Sequence, residues 1–363
     1  MHICIVAGAR PNFIKIAPIV WVVEKQKAQG QDVSYTLVYA GREDDAALEP
    51  SLFEDLQLPR PTVFLGVDCE NLNELTGQVM QAFEQYLKSE KTDVVIVVDD
   101  LASTMAAAIV TKKQGILLAH LVAGTRSFDI SMPKEINRLV IDGLSDLLFT
   151  AGMGSNSIVT REGAENEKVY MVGNILMDTL RHNRERFHRP DCLDQLHIPD
   201  GGYLVLTLNR KALLHNHKHL ERLVNHLVQS ANDVPIVAPL RKEAREVLES
   251  IVGDSNNIHV LPSLNYLEFG YLTQHAKGII TDSGNVAEEA TFNGVPCITL
   301  NSYTEHMETV TQGTNVLVGE DPDQLSRAIE KLLHGEWRQG TLPDRWDGRT
   351  AERIVYTFQS LIK

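Results

Sequence analysis

Only four cysteines occur in 363 residues, and none stands in a CxxC pair. Neither a zinc knuckle nor a dithiol redox motif is therefore expected. Cys4 and Cys297 lie inside apolar runs, "HICIVAG" and "PCITL", and read as ordinary core residues. There is no excess of positive charge: the formal net charge is -14. That argues against a nucleic-acid backbone as partner, which calls for a basic stripe, but not against a small anion, which needs only a local nest of donors. The chain also lacks any stretch of 18 apolar residues, and it starts on a strand-like run rather than on a basic segment followed by a long apolar one. The expectation is a cytoplasmic protein with no membrane span. No GxGxxG follows the first apolar run, so the dinucleotide fingerprint is missing, and there is neither a low-complexity segment nor a sequence-level repeat.

What is present is an alternation of short apolar runs with amphipathic stretches. In the first half the runs are "HICIVAG", "SYTLVYAG", "DVVIVV", "ILLAHLVAG", "LLFTAG" and "VYMVG". In the second half they are "YLVLTLN", "VPIVAP", "NIHVLP", "GIITDSG", "VPCITLN" and "TNVLVG". Continuous β-branched runs joined by helices mean parallel strands covered on both faces. The length exceeds one comfortable core. The reading is α/β, with two Rossmann-like domains whose parallel sheets face a central cleft. They span residues 1–172 and 173–345, and a polar linker, "GEWRQGTLPDRWDGRT", isolates a last helix within 346–363. Ligands of such sheets bind beyond the carboxyl ends of the strands, so the loops there are searched first.

The first of these loops, "AGARPNFIKIAP", offers Gly8 for a tight turn, with Arg10 and Lys15 near a helix start that can face an anion. The loop after "DVVIVV" holds Asp99 and Asp100, which can act as a base, bind a cation, or simply cap the next helix. "AGTRSFDISMPKEINR" is polar enough for a binding loop, although Glu135 could equally serve the helix dipole after Pro133. "TDSGNVAEEA" ends a strand at Thr281, turns at Asp282-Ser283-Gly284 and opens a helix. That suits a diphosphate, with Glu288 and Glu289 one turn on for ribose hydroxyls; the plain alternative is a capped helix with an acidic first turn.

"GARPNFIKIAP", "AGTRSFDISMPKEINR", "MVGNILMD", "DSGNVAEEA" and "TEHMETVTQGTNVLVG" together resemble the non-hydrolysing UDP-N-acetylglucosamine 2-epimerases, in order and over nearly the whole chain. The resemblance implies a glycosyltransferase-B-like fold and inversion of C2 by elimination of UDP to a glycal, then re-addition. It implies no metal or nicotinamide cofactor, UDP or a UDP-sugar as ligand, and a homodimer. It further implies sugar chemistry in the N-terminal domain and UDP binding in the C-terminal one. Matched by position, Arg10, Lys15, Arg210, Phe269, Ser283, Gly284 and Glu289 correspond to nucleotide-binding positions, and Asp100 and Glu135 to catalytic carboxylates.

Other positions depart from the family pattern. Its His-Gly-Asp is here Val98-Asp99-Asp100, its Glu-Ala-Gly is Val122-Ala123-Gly124, and its His-Arg is Asn209-Arg210. Lys134 replaces one glutamate of Pro-Glu-Glu, Arg42 and Gly143 replace histidines, and Arg-Pro-Glu is His306-Met307-Glu308. The losses gather where protons would move. Three readings stay open on these residues: a 2-epimerase with weakened or altered activity, a UDP-sugar-binding protein without catalysis, and a glycosyltransferase-like enzyme on the same fold. The conspicuous histidines of "TLNRKALLHNHKH" are expected to open a helix in solvated or capping roles, with His215 and His219 on one face, rather than to bind metal.

Overall fold

A computed structural model describes residues 1–253 and 257–362. Its strands are β1 (His2–Ala7), β2 (Ser34–Tyr39), β3 (Val63–Phe64), β4 (Val94–Val98), β5 (Leu117–Ala123), β6 (Leu147–Thr150), β7 (Val169–Met171), β8 (Leu204–Thr207), β9 (Ile236–Leu240), β10 (Ile258–Pro262), β11 (Gly278–Thr281), β12 (Cys297–Thr299) and β13 (Asn315–Leu317). The α-helices are α1 (Arg10–Ala28), α2 (Pro50–Asp55), α3 (Leu72–Ser89), α4 (Ala102–Lys113), α5 (Pro133–Leu144), α6 (Met153–Arg161), α7 (Ile175–Asn183), α8 (Asp191–Gln195), α9 (Lys211–Leu214), α10 (His217–Ala231), α11 (Lys242–Val252), α12 (Tyr266–Gln274), α13 (Gly284–Asn293), α14 (Glu308–Thr311), α15 (Pro322–Leu333) and α16 (Thr350–Leu361). None of the described helices is long and apolar enough to cross a membrane.

The chain divides into two compact units, Met1–His182 with Asp344–Lys363, and Asn183–Pro343. Each is a doubly wound parallel α/β domain. The first holds a seven-stranded sheet in the order β3-β2-β1-β4-β5-β6-β7, the second a six-stranded sheet ordered β10-β9-β8-β11-β12-β13. Every described ladder is parallel. The central strands explain why: β4 is Val-Val-Ile-Val-Val with all five residues buried, a run that needs cover on both faces. In the first unit α3, α4 and α5 pack in succession. The alanines Ala106, Ala107 and Ala108 of α4 are wholly buried and let neighbours come close.

The first unit extends ten residues past the boundary expected at residue 172, because α7 is tied into it. Thr179 Oγ1 donates to Ile14 O at 2.7 Å, and the His182 ring stacks on Trp21 at 3.8 Å between centroids. The Asp178 carboxylate accepts N–H groups from Thr350 (3.0 Å) and Ala351 (2.8 Å), the unpaired donors of the first turn of α16. The segment expected as a polar linker is also docked. Trp346 is 1% exposed, and its Nε1 donates to Ala151 O at 3.1 Å. Lys363, the last residue of the expected terminal helix, lies outside the described residues.

Burial pushes the Asp178 carboxyl up to about 6, against which its two backbone donors pull. Removing it leaves two buried N–H groups unmet, each worth ~1–3 kcal/mol. Asp178→Ala is therefore expected to destabilise the protein by about 2–4 kcal/mol, read from urea denaturation. A loss under about 0.5 kcal/mol would show that α16 is held by apolar packing alone.

Candidate active site

In the first unit the site is built where β4 and β5 end. The backbone turns sharply at Asp99, which takes φ +59, a conformation aspartate tolerates better than most residues. The turn sends two consecutive carboxylates in different directions. Asp99 reaches α1, accepting from Lys15 Nζ at 2.5 Å and Asn12 Nδ2 at 2.9 Å. Asp100 reaches α5, accepting from Arg138 Nε at 2.8 Å and Nη2 at 2.6 Å, with Lys134 Nζ at 3.4 Å. Neither aspartate caps α4, whose N-cap is Leu101, so the capping alternative is not what the fold adopts. Gly8 serves a close approach rather than a turn. A Cβ there would stand 2.1 Å from Ser103 Oγ, so glycine lets the loops after β1 and β4 press together.

Glu135 enters the same cluster from α5. Its carboxylate accepts the N–H groups of Ser127 (2.9 Å) and Phe128 (3.1 Å), the Ser127 hydroxyl (2.9 Å) and Arg138 Nη1 (3.1 Å). Phe128 stands at φ +59 to make this possible, a costly conformation for a bulky residue. Arg138 thus holds both catalytic candidates on one guanidinium, with all three residues no more than 7% exposed. Burial pushes each carboxyl up, and the partners more than reverse this. Lys134, Arg138 and Lys15 hold Asp100 below its ordinary value, while the Ser127 and Phe128 donors and Arg138 do so for Glu135.

A second buried chain of charge supports this cluster. His120, 1% exposed, sits between Asp142 Oδ1 (2.6 Å) and the carbonyl of Asp99 (2.9 Å). Both neighbours are acceptors, so the ring serves both only by donating from each nitrogen. Asp142 also takes Arg126 Nη2 at 2.7 Å and the Gly124 N–H at 3.1 Å, and Arg126 continues to Glu162 at 2.5 Å. Val122 lies beside this chain at a register skip of β5, half-buried and at φ +72, an outlier for a β-branched side chain. Val98 is fully buried at the end of β4, and Arg10 is half-buried at the first position of α1. Arg42 stands in a separate surface cluster, exposed and paired with Asp44 at 2.8 Å and Asp68 at 3.5 Å.

In the second unit Asp282 joins two loops. It is 5% exposed and accepts the backbone N–H groups of Asn209 (3.0 and 2.8 Å) and Arg210 (2.7 Å). The loop after β8 is thereby fixed to the loop after β11, where Ser283 is the N-cap of α13. The Ser283 side chain makes no capping bond, so it satisfies none of the first-turn N–H groups of α13. A Cβ at Gly284 would meet only Glu288 Oε1, at 4.0 Å, leaving the space over that start open. Glu289 is buried on the same helix, and His306 Nε2 stands 3.7 Å from Glu288 Oε1. Phe269 is half-buried against the core of this unit.

Asn209 is exposed, and the Arg210 guanidinium pairs with Glu320, which also meets His219 Nε2 at 3.3 Å. His215 is not on the helix of His219: it ends α9 and faces Glu243 at 3.3 Å. The described residues contain no group of three or more metal-ligating side chains. Sequence reading noted Arg138 only as one charge of the candidate binding loop and passed over the partners His120, Asp142 and Glu320, whose roles depend on what folding places beside them.

The sequence profile of the UDP-N-acetylglucosamine 2-epimerase family matches residues 25–359. A UDP-N-acetylglucosamine 2-epimerase of Methanocaldococcus jannaschii is 32% identical over 98% of each chain. A UDP-2,3-diacetamido-2,3-dideoxy-D-glucuronate 2-epimerase of Pseudomonas aeruginosa is 34% identical over 92% of each. Among solved structures, the M. jannaschii enzyme in complex with UDP-GlcNAc and UDP superposes with a TM-score of 0.84 at 31% identity, covering 99% of this chain and 100% of its own.

Removing Arg138 leaves two buried carboxylates without their shared cation. Arg138→Met is expected to cost ~3–5 kcal/mol at pH 7, measured by chemical denaturation. Both carboxyls are depressed in the fold. The stability they contribute through Arg138 is complete above their ordinary values of 3.8 and 4.5 and is lost as pH falls through the lower folded values. The gap between wild type and variant should therefore narrow below about pH 4; a gap constant from pH 7 to 3 would refute the ionic account.

Proposed function

Because the chain belongs to the UDP-N-acetylglucosamine 2-epimerase family, we propose that it is a nucleotide-sugar 2-epimerase acting on a UDP-N-acetylhexosamine. A carboxylate takes the proton from C2 as the C1–O bond to UDP breaks, giving a glycal and free UDP. UDP then adds back at C1 while a proton enters C2 from the opposite face. The supporting observation is the grip of Arg138 on Asp100 and Glu135. One ionised, oriented carboxylate can take the C2 proton, and the return of a proton to the opposite face falls to a group that carries one at that stage. In this reading the first unit supplies the sugar chemistry with Asp100 and Glu135, and Arg10 and Lys15 favour the anionic nucleotide. The second unit binds UDP through Arg210, Phe269, Ser283, Gly284 and Glu289. No metal or nicotinamide takes part. We infer a cytoplasmic homodimer.

Val98, Val122 and Asn209 stand where the family pattern has groups able to ionise, so the chain works with fewer proton-handling side chains. Each such group is worth ~10²–10⁴-fold in rate, and turnover below that of the family pattern follows. The P. aeruginosa relative acts on a diacetamido uronate, so both kinds of sugar belong in the substrate panel.

The test is proton NMR of the protein with each UDP-sugar in deuterated water. Deuterium should enter C2 of one substrate, and Asp100→Asn and Glu135→Gln should each slow exchange by ~10²-fold or more. Asn209→His should raise the rate, since histidine can move a proton near neutral pH and asparagine cannot. Absence of exchange with every sugar after long incubation would overturn the proposal, even if UDP binds.

A further inference from the structure

Glu320 stands on a firmly held turn in the second unit. After β13 the backbone turns at Gly319, which takes φ +62, and Asp321 then caps α15 by accepting the N–H groups of Asp323 (2.9 Å) and Gln324 (3.2 Å). A Cβ at Gly319 would meet nothing within 4 Å, so glycine serves its backbone angle there and not a close approach. The Gly319 N–H donates to Asn301 O at 3.1 Å and ties the turn to the end of β12. From this turn the Glu320 carboxylate divides between two partners of other elements. Its Oε1 takes the Arg210 guanidinium, and its Oε2 lies 3.3 Å from His219 Nε2 on the first turn of α10.

Arg210 is held from the opposite side. Its backbone N–H goes to Asp282 at 2.7 Å, the residue before the N-cap of α13, and its Nη1 lies 3.5 Å from Leu300 O. The side chains of Arg210 and Glu320 each keep 34% of their surface exposed, so the pair is open to solvent on one side. Beside the turn of Ser283 and Gly284, the charge of this cation is already cancelled by a carboxylate of its own chain.

We propose that Glu320 is an internal competitor for the diphosphate, holding the Arg210 guanidinium in the free protein and giving it up to an arriving nucleoside diphosphate. The inference rests on the reading of Arg210 as a nucleotide-binding residue. A carboxylate and a phosphate use the same forked N–H donors of a guanidinium, and the two anions side by side would repel. An ion pair this exposed contributes little stability, so it parts readily. The displaced carboxylate still has His219 as a neighbour. Affinity for the diphosphate is then a difference between two anions at one cation, which lets the site hold UDP while it is severed from C1 and release it once the sugar has turned over.

Calorimetric titration of the full chain with UDP tests this. Glu320→Gln keeps the length of the side chain and an oxygen that can accept from Arg210, and removes only the charge. It should bind UDP about tenfold more tightly than wild type, a change of ~1.4 kcal/mol. A residue that merely anchored Arg210 would act the other way, its loss weakening UDP. In an Arg210→Met background there is no guanidinium to compete for, and the gain from Glu320→Gln should fall below about twofold. Both side chains are half-buried, so neither substitution opens the core. UDP bound equally or more weakly by Glu320→Gln, or a tenfold gain that survives the loss of Arg210, would overturn the proposal and leave the epimerase reading standing. UDP bound by neither wild type nor variants would overturn the nucleotide-binding role of Arg210 as well.

Discussion

One guanidinium organises the first unit. Arg138 lies on the inner face of α5 and divides its donors between Asp100, at the end of β4, and Glu135, one turn back on its own helix. Three charges buried together are tolerable only when their hydrogen bonds are met, and these are: Lys134 and the Asn137 amide complete the Asp100 residue, and the 127–128 loop completes Glu135. Much nearby geometry follows from this requirement. Phe128 accepts a positive φ so that two N–H groups converge on one carboxylate, and α5 turns its polar side inward at the expense of its apolar one. Behind it, His120 and Asp142 hold the Asp99 carbonyl and so the turn that separates the two aspartates.

The second unit uses a simpler device toward a comparable end. Asp282 binds two backbone N–H groups of another loop rather than a cation. Burial raises its carboxyl, and the amide donors work against that shift. The bonds are to main chain, so the loop after β8 keeps its position whatever side chain stands at 209. The side chain at 209 is thus free of any part in holding the loop.

Several departures from expectation share one cause. Asp99 and Asp100 precede a helix that either could cap by local rules; instead each is claimed by a distant cation, Lys15 or Arg138. Gly8 looked like a turn glycine and is an approach glycine, because Ser103 arrives from nearly a hundred residues away. The stretch before α16 is polar in composition, yet Trp346 anchors it to Ala151. The three histidines at alternate positions are parted by a helix break, and two of them face separate glutamates. In each case a long-range contact outweighs a local preference worth about 1 kcal/mol.

The alternation of β-branched runs with amphipathic stretches determined by itself that both units would be parallel α/β domains, since strands so apolar have to be covered on both faces. The ordered motifs carried the family. The sequence also placed Asp100, Ser283 and Gly284 at strand ends, where such folds bind ligands, and Glu135 at the helix start that follows a polar loop. Only the tertiary structure decided that Asp100 and Glu135 share one cation, that Asp282 joins two loops, and that α5 presents its apolar side outward. Periodicity states which residues share a helix face. Which face turns inward depends on the charges that the rest of the fold brings up to meet it.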